Sequence, residues 1–334
     1  MRAHAVIATA PRQVEFAEVR APEPTADDVV VRVTHSWISN GTEGSFLRGE
    51  RIAGDTPRGP SDPLPFPHVP GYQKVGVAEW VGKNVTGFRV GDTVFASVSG
   101  VEDMFYPSGG HVSPAVTHRS QVWKLPPGLD PIAAGGLVLT QVGYNVGARP
   151  AVSAGDAVLV VGDGLVGHWA AQTFQHRGAR VLLAGRHDER LARFEAGPGD
   201  GVVNAACEDL PRAGRAWAPE GLQVVADTVG SIPVLESLMP LLRRDGHLVS
   251  AGFYGPNGRM DIQRMRDREI TLHAPAGWTR ERMDTTLDLL ARGVFQTLPL
   301  ITHRLPAALA PAAYDLILAR REPVLGVILD WGDI

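Results

Sequence analysis

A glycine-rich turn near the middle of the chain carries the strongest chemical signal. Gly162, Gly164 and Gly167 have the spacing G-x-G-x-x-G, with an apolar run before them and a helical pattern after them. Between a strand and a helix this spacing is typical of a dinucleotide site. The first glycine permits a tight turn, the second lets a pyrophosphate approach the backbone, and the third lets helix and strand pack closely. Free N–H groups at the helix start, those of Leu165 and Val166, would face the phosphates. A strand–helix turn that is merely rich in glycine is the alternative.

The residues after the next predicted strand bear on the choice of nucleotide. An NAD site usually has a carboxylate there, about 20 residues beyond the glycines, to bind the ribose 2′-hydroxyl. This chain has Gly185 followed by Arg186. A guanidinium binds a 2′-phosphate through bidentate, charge-assisted hydrogen bonds, so we predict NADP(H), with Arg186 as the main contact and Arg190 or His187 assisting. In the alternative, Arg186 is a solvated residue at a helix start and Asp188 binds the ribose.

Two further loops are predicted to contact the cofactor. Thr228 and Val229 follow one predicted strand of the second half of the chain, and Gly252 and Phe253 follow the next. The carboxyl ends of strands line the ligand crevice in doubly wound sheets, so we expect these loops to flank the nucleotide. Ordinary loop packing is the alternative for Val229 and Phe253.

The two halves of the chain differ in their hydrophobic pattern. The first 130 residues contain short β-branched runs separated by turns with proline, which is typical of short strands. From about residue 150, apolar runs alternate with longer helical segments, which indicates βαβ units and a parallel sheet. Short runs at 298–301 and 324–329 are predicted as strands that complete the β-rich first part. The fold class is therefore predicted to be α/β.

Composition excludes several classes of function. The 334 residues contain 32 Lys and Arg against 36 Asp and Glu, a formal charge of −4, which gives no general attraction to nucleic acid or acidic membranes. The single cysteine, Cys207, excludes an intramolecular disulfide framework and a zinc site of paired thiolates. Charges, proline or glycine interrupt the long apolar stretches, and the N-terminus lacks the apolar core of a signal peptide. We expect a cytoplasmic protein without a membrane span.

Longer segments surround these motifs, including P-H-V-P-G-Y-Q-K-V-G at 67–76, V-G-K-N-V-T-G-F-R-V-G-D-T-V at 81–94 and W-K-L-P-P-G-L at 123–129. Together with Gly109-Gly110-His111, the glycine motif and residues 235–252, they resemble the medium-chain dehydrogenase/reductase superfamily over nearly the whole chain. The resemblance implies a GroES-like β-rich catalytic domain, a Rossmann NADP(H)-binding domain inserted in it, and a cleft between them. The predicted domains are 1–143 with 279–334, GroES-like, and 144–278, Rossmann.

The positions that bind zinc in other members of the superfamily carry different residues here. The resemblance would lead to a Cys near Ser39 or Asn40, a Gly-His-Glu where this chain has Gly71-Tyr72-Gln73, and a Cys near Leu139. Neutral hydroxyl and amide side chains are poor zinc ligands, so we predict a zinc-independent protein. The segment W-I-S-N-G-T-E at 37–43 resembles a zinc-free branch that includes bacteriochlorophyllide a dehydrogenase. Similar members occur among dehydrogenases of sugar and aminoglycoside biosynthesis.

Without a metal, hydrogen-bond donors must stabilise the charge that develops on the substrate oxygen. Tyr72 is the first candidate, because a phenol both donates a hydrogen bond and delivers a proton; a packing tyrosine is the alternative. Ser39 and Asn40 are predicted as donors that line the cleft, Thr42 as a proton relay and Glu43 as a substrate-binding or acid–base group. In the alternative, Asn40 and Glu43 form a capping box at the start of a short helix.

His111 and His35 are weaker candidates for proton exchange, since a lone histidine is more often structural. The predicted function is that of a zinc-independent, NADP(H)-dependent oxidoreductase. It would interconvert an alcohol and a ketone on a polar biosynthetic intermediate such as a sugar or aminocyclitol. A quinone or enone reductase and a catalytically silent NADPH-binding protein are the alternatives. The expected partners are a small polar substrate and, by analogy with relatives, a second copy in a homodimer.

Overall fold

The computed structural model describes residues 1–332, and their contacts divide the chain into two compact units. The β-rich unit comprises Met1–Val138 and the chain from Met283 onward, and the parallel-sheet unit comprises Leu139–Arg282. The units therefore change at 138/139 and 282/283. The division at 143/144 and 278/279 stays a prediction about the folding domains.

Strands and helices have the following bounds. The strands are β1 (Arg2–Ala10), β2 (Gln13–Arg20), β3 (Asp28–Ile38), β4 (Arg51–Ala53), β5 (Thr56–Pro57), β6 (Lys74–Val81), β7 (Thr93–Ala96), β8 (Ser99–Gly100), β9 (Ser108–Gly109), β10 (Val112–Ser113), β11 (Ala115–His118), β12 (Val122–Lys124), β13 (Ala157–Val161), β14 (Arg180–Gly185), β15 (Gly201–Asn204), β16 (Leu222–Asp227), β17 (Leu242–Ser250), β18 (Thr271–His273), β19 (Ile301–Pro306) and β20 (Gly326–Asp330). The α-helices are α1 (Asn40–Leu47), α2 (Pro131–Ala134), α3 (Leu137–Ala148), α4 (Leu165–His176), α5 (Asp188–Leu191), α6 (Leu210–Trp217), α7 (Ile232–Leu238), α8 (Gln263–Arg266), α9 (Arg280–Ala291) and α10 (Ala310–Ala319). Short 3-10 helices cover Arg119–Gln121, Met239–Leu241, Gly255–Asn257, Leu298–Leu300 and Ala307–Leu309.

The β-rich unit is built on a seven-stranded sheet in the order β12-β7-β6-β3-β20-β19, with β11 also paired to β3. A three-stranded sheet, β10-β1-β2, and two short ribbons complete it. Strand β20 pairs antiparallel with β3, with Val327 opposite Ile38. The C-terminal strands therefore join the first part of the chain, as the sequence predicts.

One predicted strand begins later than expected. The run at 298–301 forms the 3-10 helix Leu298–Leu300, and β19 begins only at Ile301. Pro299 explains the difference, because it has no N–H to donate to a sheet and its fixed φ suits the first turn of a helix. The prediction of a strand over 298–300 is wrong.

The parallel-sheet unit contains a six-stranded sheet in the order β15-β14-β13-β16-β17-β18, and every pair is parallel. Counted along the chain the order is 3-2-1-4-5-6, which is that of a Rossmann fold. This confirms the predicted fold class. Apolar clusters cover both faces of the sheet, so strands such as β13 are buried throughout. The strand order reverses between β13 and β16, where doubly wound sheets bind their ligands.

Among the helices of residues 1–332, none combines the length and the apolar character that a membrane crossing requires.

Candidate active site

The junction between β3 and α1 carries several of the predicted catalytic residues. Ser39 is the N-cap residue of α1, and its backbone N–H donates to Glu43 Oε1 at 2.6 Å. Asn40 is the first helical residue, and its side-chain amide donates to the Leu325 carbonyl at 2.6 Å. The predicted capping box with Asn40 as the cap is therefore wrong. The helix begins one residue earlier, because Glu43 satisfies the N–H of Ser39 instead.

Glu43 is a buried acceptor on which three donors converge. Its side chain is 2% exposed. Besides the Ser39 N–H, the Tyr314 hydroxyl donates to Oε2, and His111 Nε2 lies 3.0 Å from the same oxygen. Tyr314 and His111 are themselves 1% and 0% exposed. The carboxylate thus connects α1 to α10 and to the residue before β10 inside the unit.

Hydrogen bonds through Ser36 orient the His111 ring. Ser36 Oγ lies 2.8 Å from His111 Nδ1, and the Trp331 indole N–H donates to Ser36 Oγ at 2.9 Å. Since the serine hydroxyl already accepts from the indole, its own proton is available to a neutral His111 ring at Nδ1. The remaining ring proton then sits on Nε2 and points at Glu43. Of this network the sequence singled out Glu43 and His111, whereas Ser36, Tyr314 and Trp331 carry no local motif.

The backbone before Tyr72 rests directly on the His111 ring. Gly71 has φ +86°, and a Cβ at that position would lie 2.5 Å from His111 Nε2. A Cβ at Gly110 would lie 2.2 Å from the Gly71 carbonyl carbon. Neither position can therefore carry a side chain. The close packing at these two glycines fixes the position of the backbone that leads into Tyr72.

Tyr72 and Ser39 form a pair of hydroxyl groups at 2.6 Å, in which the phenol donates to Ser39 Oγ. Although the ring is only partly buried, the protein packed around its oxygen raises the pKa of Tyr72 to about 12, and the side chains of Ser39 and Thr42 act in the opposite direction. The phenol is therefore neutral at physiological pH. Because the phenol proton is directed at Ser39 Oγ, the proton of the Ser39 hydroxyl is the one directed away from this bond. Asn40 and Thr42, both partly exposed, flank the pair along α1.

The residues after Tyr72 face the interior. The Gln73 side-chain amide donates to the Trp37 carbonyl at 3.5 Å. Lys74 is fully buried, and its ammonium group donates to the Ser97 carbonyl at 2.5 Å. Burial lowers the pKa of Lys74 to about 7. No motif in the sequence predicts a buried amine at Lys74, the first residue of β6, which pairs with β3.

The donor set around Tyr72 does not suit a zinc ion. Ser39 and Tyr72 bond each other, Gln73 donates to the backbone, and none of the three is a thiolate or an imidazole. Across the described chain, no cluster of three or more His, Cys, Asp and Glu side chains is arranged to hold a metal ion. Zinc independence itself stays a prediction.

In the parallel-sheet unit, the three motif glycines have different surroundings. Gly162 has φ +122°, and a Cβ there would lie 2.2 Å from Thr228 Oγ1. A Cβ at Gly167 would lie 1.8 Å from the Gly162 carbonyl oxygen, whereas one at Gly164 would meet nothing within 4 Å. Gly162 and Gly167 are therefore required by the protein itself. Gly164 lies at the start of α4 beside open space, next to the first-turn N–H groups of Leu165 and Val166, which have no partner within the helix. This arrangement fits a pyrophosphate.

The turn after β14 is organised by Asp163, a residue of the glycine motif that the sequence reading did not single out. Asp163 Oδ2 accepts from the backbone N–H groups of Arg186 and His187 at 2.8 and 2.9 Å, and His187 Nδ1 lies 2.8 Å from the same oxygen. Burial alone raises the pKa of the Asp163 carboxyl, but these hydrogen bonds and the charges of His187 and Arg190 outweigh it and lower the pKa. Arg190 lies 3.5 Å from Oδ1.

Arg186 differs from its neighbours. Its side chain is exposed and forms no ion pair or side-chain hydrogen bond with residues 1–332. The guanidinium is therefore available to an anion that approaches the turn; the 2′-phosphate contact itself stays a prediction. Gly185, just before it, is buried at the end of β14.

The loops after β16 and β17 pack against each other. Asp227 is fully buried and accepts from the N–H of Val229 at 2.8 Å, from the N–H of Ser231 at 2.9 Å and from the Tyr254 hydroxyl at 2.8 Å. A Cβ at Gly252 would lie 2.0 Å from the Gly230 nitrogen, so the two loops touch backbone to backbone. Thr228 donates from both its N–H and its hydroxyl to the Val161 carbonyl at 2.9 Å, next to the glycine turn. The Val229 side chain is 57% exposed, and that of Phe253 is partly buried, so both have surface for a ligand.

Comparison with known proteins agrees with this architecture. Residues 166–292 match the zinc-binding dehydrogenase family, a stretch that contains none of the residues around Ser39 and Tyr72. The chain is 30% identical over 344 aligned residues to 2-desacetyl-2-hydroxyethyl bacteriochlorophyllide A dehydrogenase of Cereibacter sphaeroides, with 99% of each chain covered.

Two solved structures share the fold over nearly their full length. An alcohol dehydrogenase of Escherichia coli CFT073, solved with NADH, has a TM-score of 0.84 and 21% identity, and 99% of each chain is covered. A protein of Sinorhizobium meliloti assigned as a zinc-binding dehydrogenase, solved with NADP, has a TM-score of 0.79 and 19% identity, again with 99% of each chain covered.

The chain belongs to the medium-chain dehydrogenase/reductase superfamily and is an oxidoreductase of that superfamily. This confirms the resemblance seen in the sequence.

Proposed function

We propose that this protein is an NADP(H)-dependent oxidoreductase that interconverts an alcohol and a ketone on a small polar substrate without a catalytic zinc. The Tyr72–Ser39 hydroxyl pair at 2.6 Å carries the proposal, because it is a neutral, preorganised donor at the position where other members of the superfamily are expected to bind zinc.

The nucleotide would be held by the glycine turn and the loops around it. Gly164 leaves room for the pyrophosphate, the N–H groups of Leu165 and Val166 would bind its oxygens, and the loops of Thr228 and Gly252 would flank the remainder. A bound nicotinamide would accept or supply a hydride.

Preference for the phosphorylated nucleotide follows from the turn after β14. Gly185 has no carboxylate to repel a 2′-phosphate, and Arg186 presents a guanidinium without an internal partner among residues 1–332. Arg190 and His187 lie close by, but both are engaged by Asp163. We therefore assign the main 2′-phosphate contact to Arg186 and a secondary role to Arg190.

On the substrate side, the hydroxyl pair would stabilise the oxygen on which charge develops. A phenol with a pKa of about 12 remains protonated at physiological pH, so Tyr72 is not a phenolate base. Its proton is donated to Ser39 Oγ, and the Ser39 hydroxyl would donate to the substrate oxygen. Glu43 and His111 are positioning residues in this proposal. They fix the Ser39 backbone and the Gly71 backbone from inside the unit.

The substrate class is inferred from the groups at the surface beside the pair. Thr42, which is partly exposed on α1, offers a hydroxyl group there, which favours a hydroxylated substrate such as a sugar or aminocyclitol over a bare alkyl alcohol. The name of the Cereibacter sphaeroides relative states a hydroxyethyl group and a dehydrogenase, which supports alcohol oxidation or ketone reduction over reduction of a carbon–carbon double bond.

The decisive assay follows NADPH consumption at 340 nm with matched substrate panels. Ketoses and keto-inositols form one panel, and quinones and α,β-unsaturated ketones form the other. We expect turnover with the first panel only. Turnover confined to the second panel would establish the quinone or enone reductase, and NADPH binding without turnover in either would establish the silent binding protein.

We also retain the homodimer as a proposal. Strand β18 is the last strand of the parallel sheet, and Thr271 and Leu272 on it are exposed. Sedimentation velocity tests this, with a species of about twice 35.7 kDa expected. A cytoplasmic location likewise remains a proposal.

A further inference from the structure

We propose that Asp163 is the specificity-determining residue of the nucleotide site, because it fills the space that a carboxylate side chain at position 185 would need. The inference rests on the proposed function, since it names the residue that sets the nucleotide choice of that same site. Position 185 is where the superfamily resemblance leads one to expect a ribose-binding carboxylate.

The space beside Gly185 is closed. A Cβ at this position would lie 2.4 Å from the Asp163 Cβ and 2.5 Å from Asp163 Oδ2. Both distances are shorter than any real carbon contact, and the nearest atom belongs to the rigid base of the Asp163 side chain. An aspartate or glutamate at position 185 therefore cannot coexist with Asp163 in this backbone.

Asp163 does not simply supply the missing ribose acceptor. Its Oδ2 accepts two backbone hydrogen bonds from the turn and faces His187 Nδ1, and its Oδ1 faces Arg190. Only 6% of the residue is exposed. The carboxylate is engaged by hydrogen bonds within the protein, which hold the backbone of residues 186 and 187 in place.

Asp163 also determines which basic side chains of the turn form ion pairs within the protein. It engages His187 and Arg190, and it leaves Arg186 as the exposed cation of the turn that has no ion pair within the described chain. One residue thereby excludes the NAD-type carboxylate and presents the guanidinium suited to a 2′-phosphate. We assign Asp163 a positioning role, because it acts on the nucleotide through the turn.

A double-mutant cycle tests this coupling. The variants are Gly185→Asp, Asp163→Gly and the two combined; glycine is needed at 163 because the Asp163 Cβ itself blocks the space. Thermal unfolding and calorimetric Kd values for NADPH and NADH are measured without substrate. We expect Gly185→Asp alone to lower Tm and weaken both nucleotides. The double variant should have a higher Tm than the sum of the two single effects predicts, and should change the ratio of NADH to NADPH affinity toward NADH by about tenfold or more.

Asp163→Asn keeps the shape of the side chain and separates the two roles of its carboxylate. If Asp163 accepts hydrogen bonds only within the protein, this variant should lower the affinity for NADPH at least as much as the affinity for NADH. A selective loss of NADH binding would show that the carboxylate binds the ribose hydroxyls, and would overturn the proposal.

The proposal would also be overturned if Gly185→Asp alone kept the wild-type Tm and bound NADH more tightly. A wild-type protein that prefers NADH would contradict the proposed NADP(H) dependence instead. The coupling between positions 163 and 185 would still be read from Tm in that case, so the two failures are distinguishable.

Discussion

The two candidate sites of this chain are made in different ways. In the parallel-sheet unit the proposed nucleotide site is formed largely by backbone, from two segments close in sequence, 162–167 and 185–187. In the β-rich unit the hydroxyl pair depends on side chains that are up to 295 residues apart, as Ser36 and Trp331 are. A site formed by backbone requires glycines at fixed spacing, and this spacing can be recognised in the sequence. A side-chain network imposes no local pattern.

The comparison predicts where each unit is most sensitive. Substitutions at the hydroxyl pair should lower the rate of the chemical step. Substitutions at the glycine turn should affect folding where an added side chain has no space, and nucleotide affinity where it has space. Substitutions in the buried network around Glu43 should affect both stability and turnover.

The largest expected effect is that of Tyr72→Phe. Removal of one preorganised donor costs about 2.7–4 kcal/mol in the transition state, so kcat should fall about 10²–10³-fold with a smaller change in KM. Since the pKa of Tyr72 is about 12, the wild-type kcat should show no ionisation from this group between pH 6 and pH 10. Tyr106→Phe is the matched control, because its hydroxyl donates to the Ile52 carbonyl and has no other hydrogen-bond partner among residues 1–332. Equal losses in both variants would contradict the assignment.

Gly167→Ala and Gly164→Ala form the next pair. An alanine Cβ at position 167 would lie 1.8 Å from a carbonyl oxygen and should destabilise the protein by about 3 kcal/mol. The same change at position 164 meets open space, so Tm should stay within about 1–2 °C while nucleotide affinity falls. Differential scanning calorimetry with and without NADPH measures both. A stable Gly167→Ala variant would show that the turn is not built as described.

Arg186→Ala should weaken NADPH selectively. A charge-assisted hydrogen bond to a phosphate is worth about 1.5–3 kcal/mol, which corresponds to about 10–100-fold in Kd. NADH, which has no 2′-phosphate, should bind as in the wild type. Arg212→Ala, at an exposed arginine of α6, controls for the loss of a positive charge. Equal loss of both nucleotides would argue against a 2′-phosphate contact.

Glu43→Gln tests the buried network. The amide cannot accept from His111 and Tyr314 and also from the Ser39 N–H, so one buried donor loses its partner and stability should fall by about 2 kcal/mol. Because the hydroxyl pair is then less well held, kcat should fall while KM changes little. Tyr314→Phe, which removes one of three donors, should show the same pattern at smaller size. A loss of stability with unchanged kcat would leave Glu43 a purely structural residue.

The smallest effect expected, per pH unit, is the pH dependence of stability contributed by Lys74. Its folded pKa of about 7 lies below the usual value of 10.5, so between these values the unfolded chain binds a proton that the folded chain does not. Stability should therefore rise with pH from about 7 to 10, by at most about 1.4 kcal/mol per pH unit, and the destabilising contribution is fully present below pH 7. Urea unfolding at pH 7, 8 and 9 should show this slope in the wild type and lose it in Lys74→Met. An identical slope in both would exclude Lys74 as its source.

The parts of the molecule that could be predicted from the sequence are those whose structure depends on residues close together in the chain. The strand–glycine–helix unit at β13 and α4, the parallel sheet and the arginine after β14 were all expected from patterns spanning a few residues. Asp163 was missed although it lies inside the motif, because its role depends on how closely β14 approaches the glycine turn.

In the β-rich unit, the sequence named Tyr72, Ser39 and Glu43 but not the way they are connected. That Glu43 is an interior acceptor and not a surface acid follows only from the positions of His111 and Tyr314, 68 and 271 residues further along. The N-cap of α1 at Ser39 and the 3-10 turn at Pro299 show that single-residue boundaries depend on which hydrogen bonds the fold completes.

The most direct test of the account is turnover without metal. Wild-type protein is treated with a strong chelator, its zinc content is measured by elemental analysis, and kcat is determined with NADPH and the best ketone of the substrate panel. If neutral hydroxyls perform the work of a Lewis acid, kcat is unchanged and no stoichiometric zinc is present before treatment. Loss of turnover on chelation, restored by one zinc ion per chain, would contradict the account.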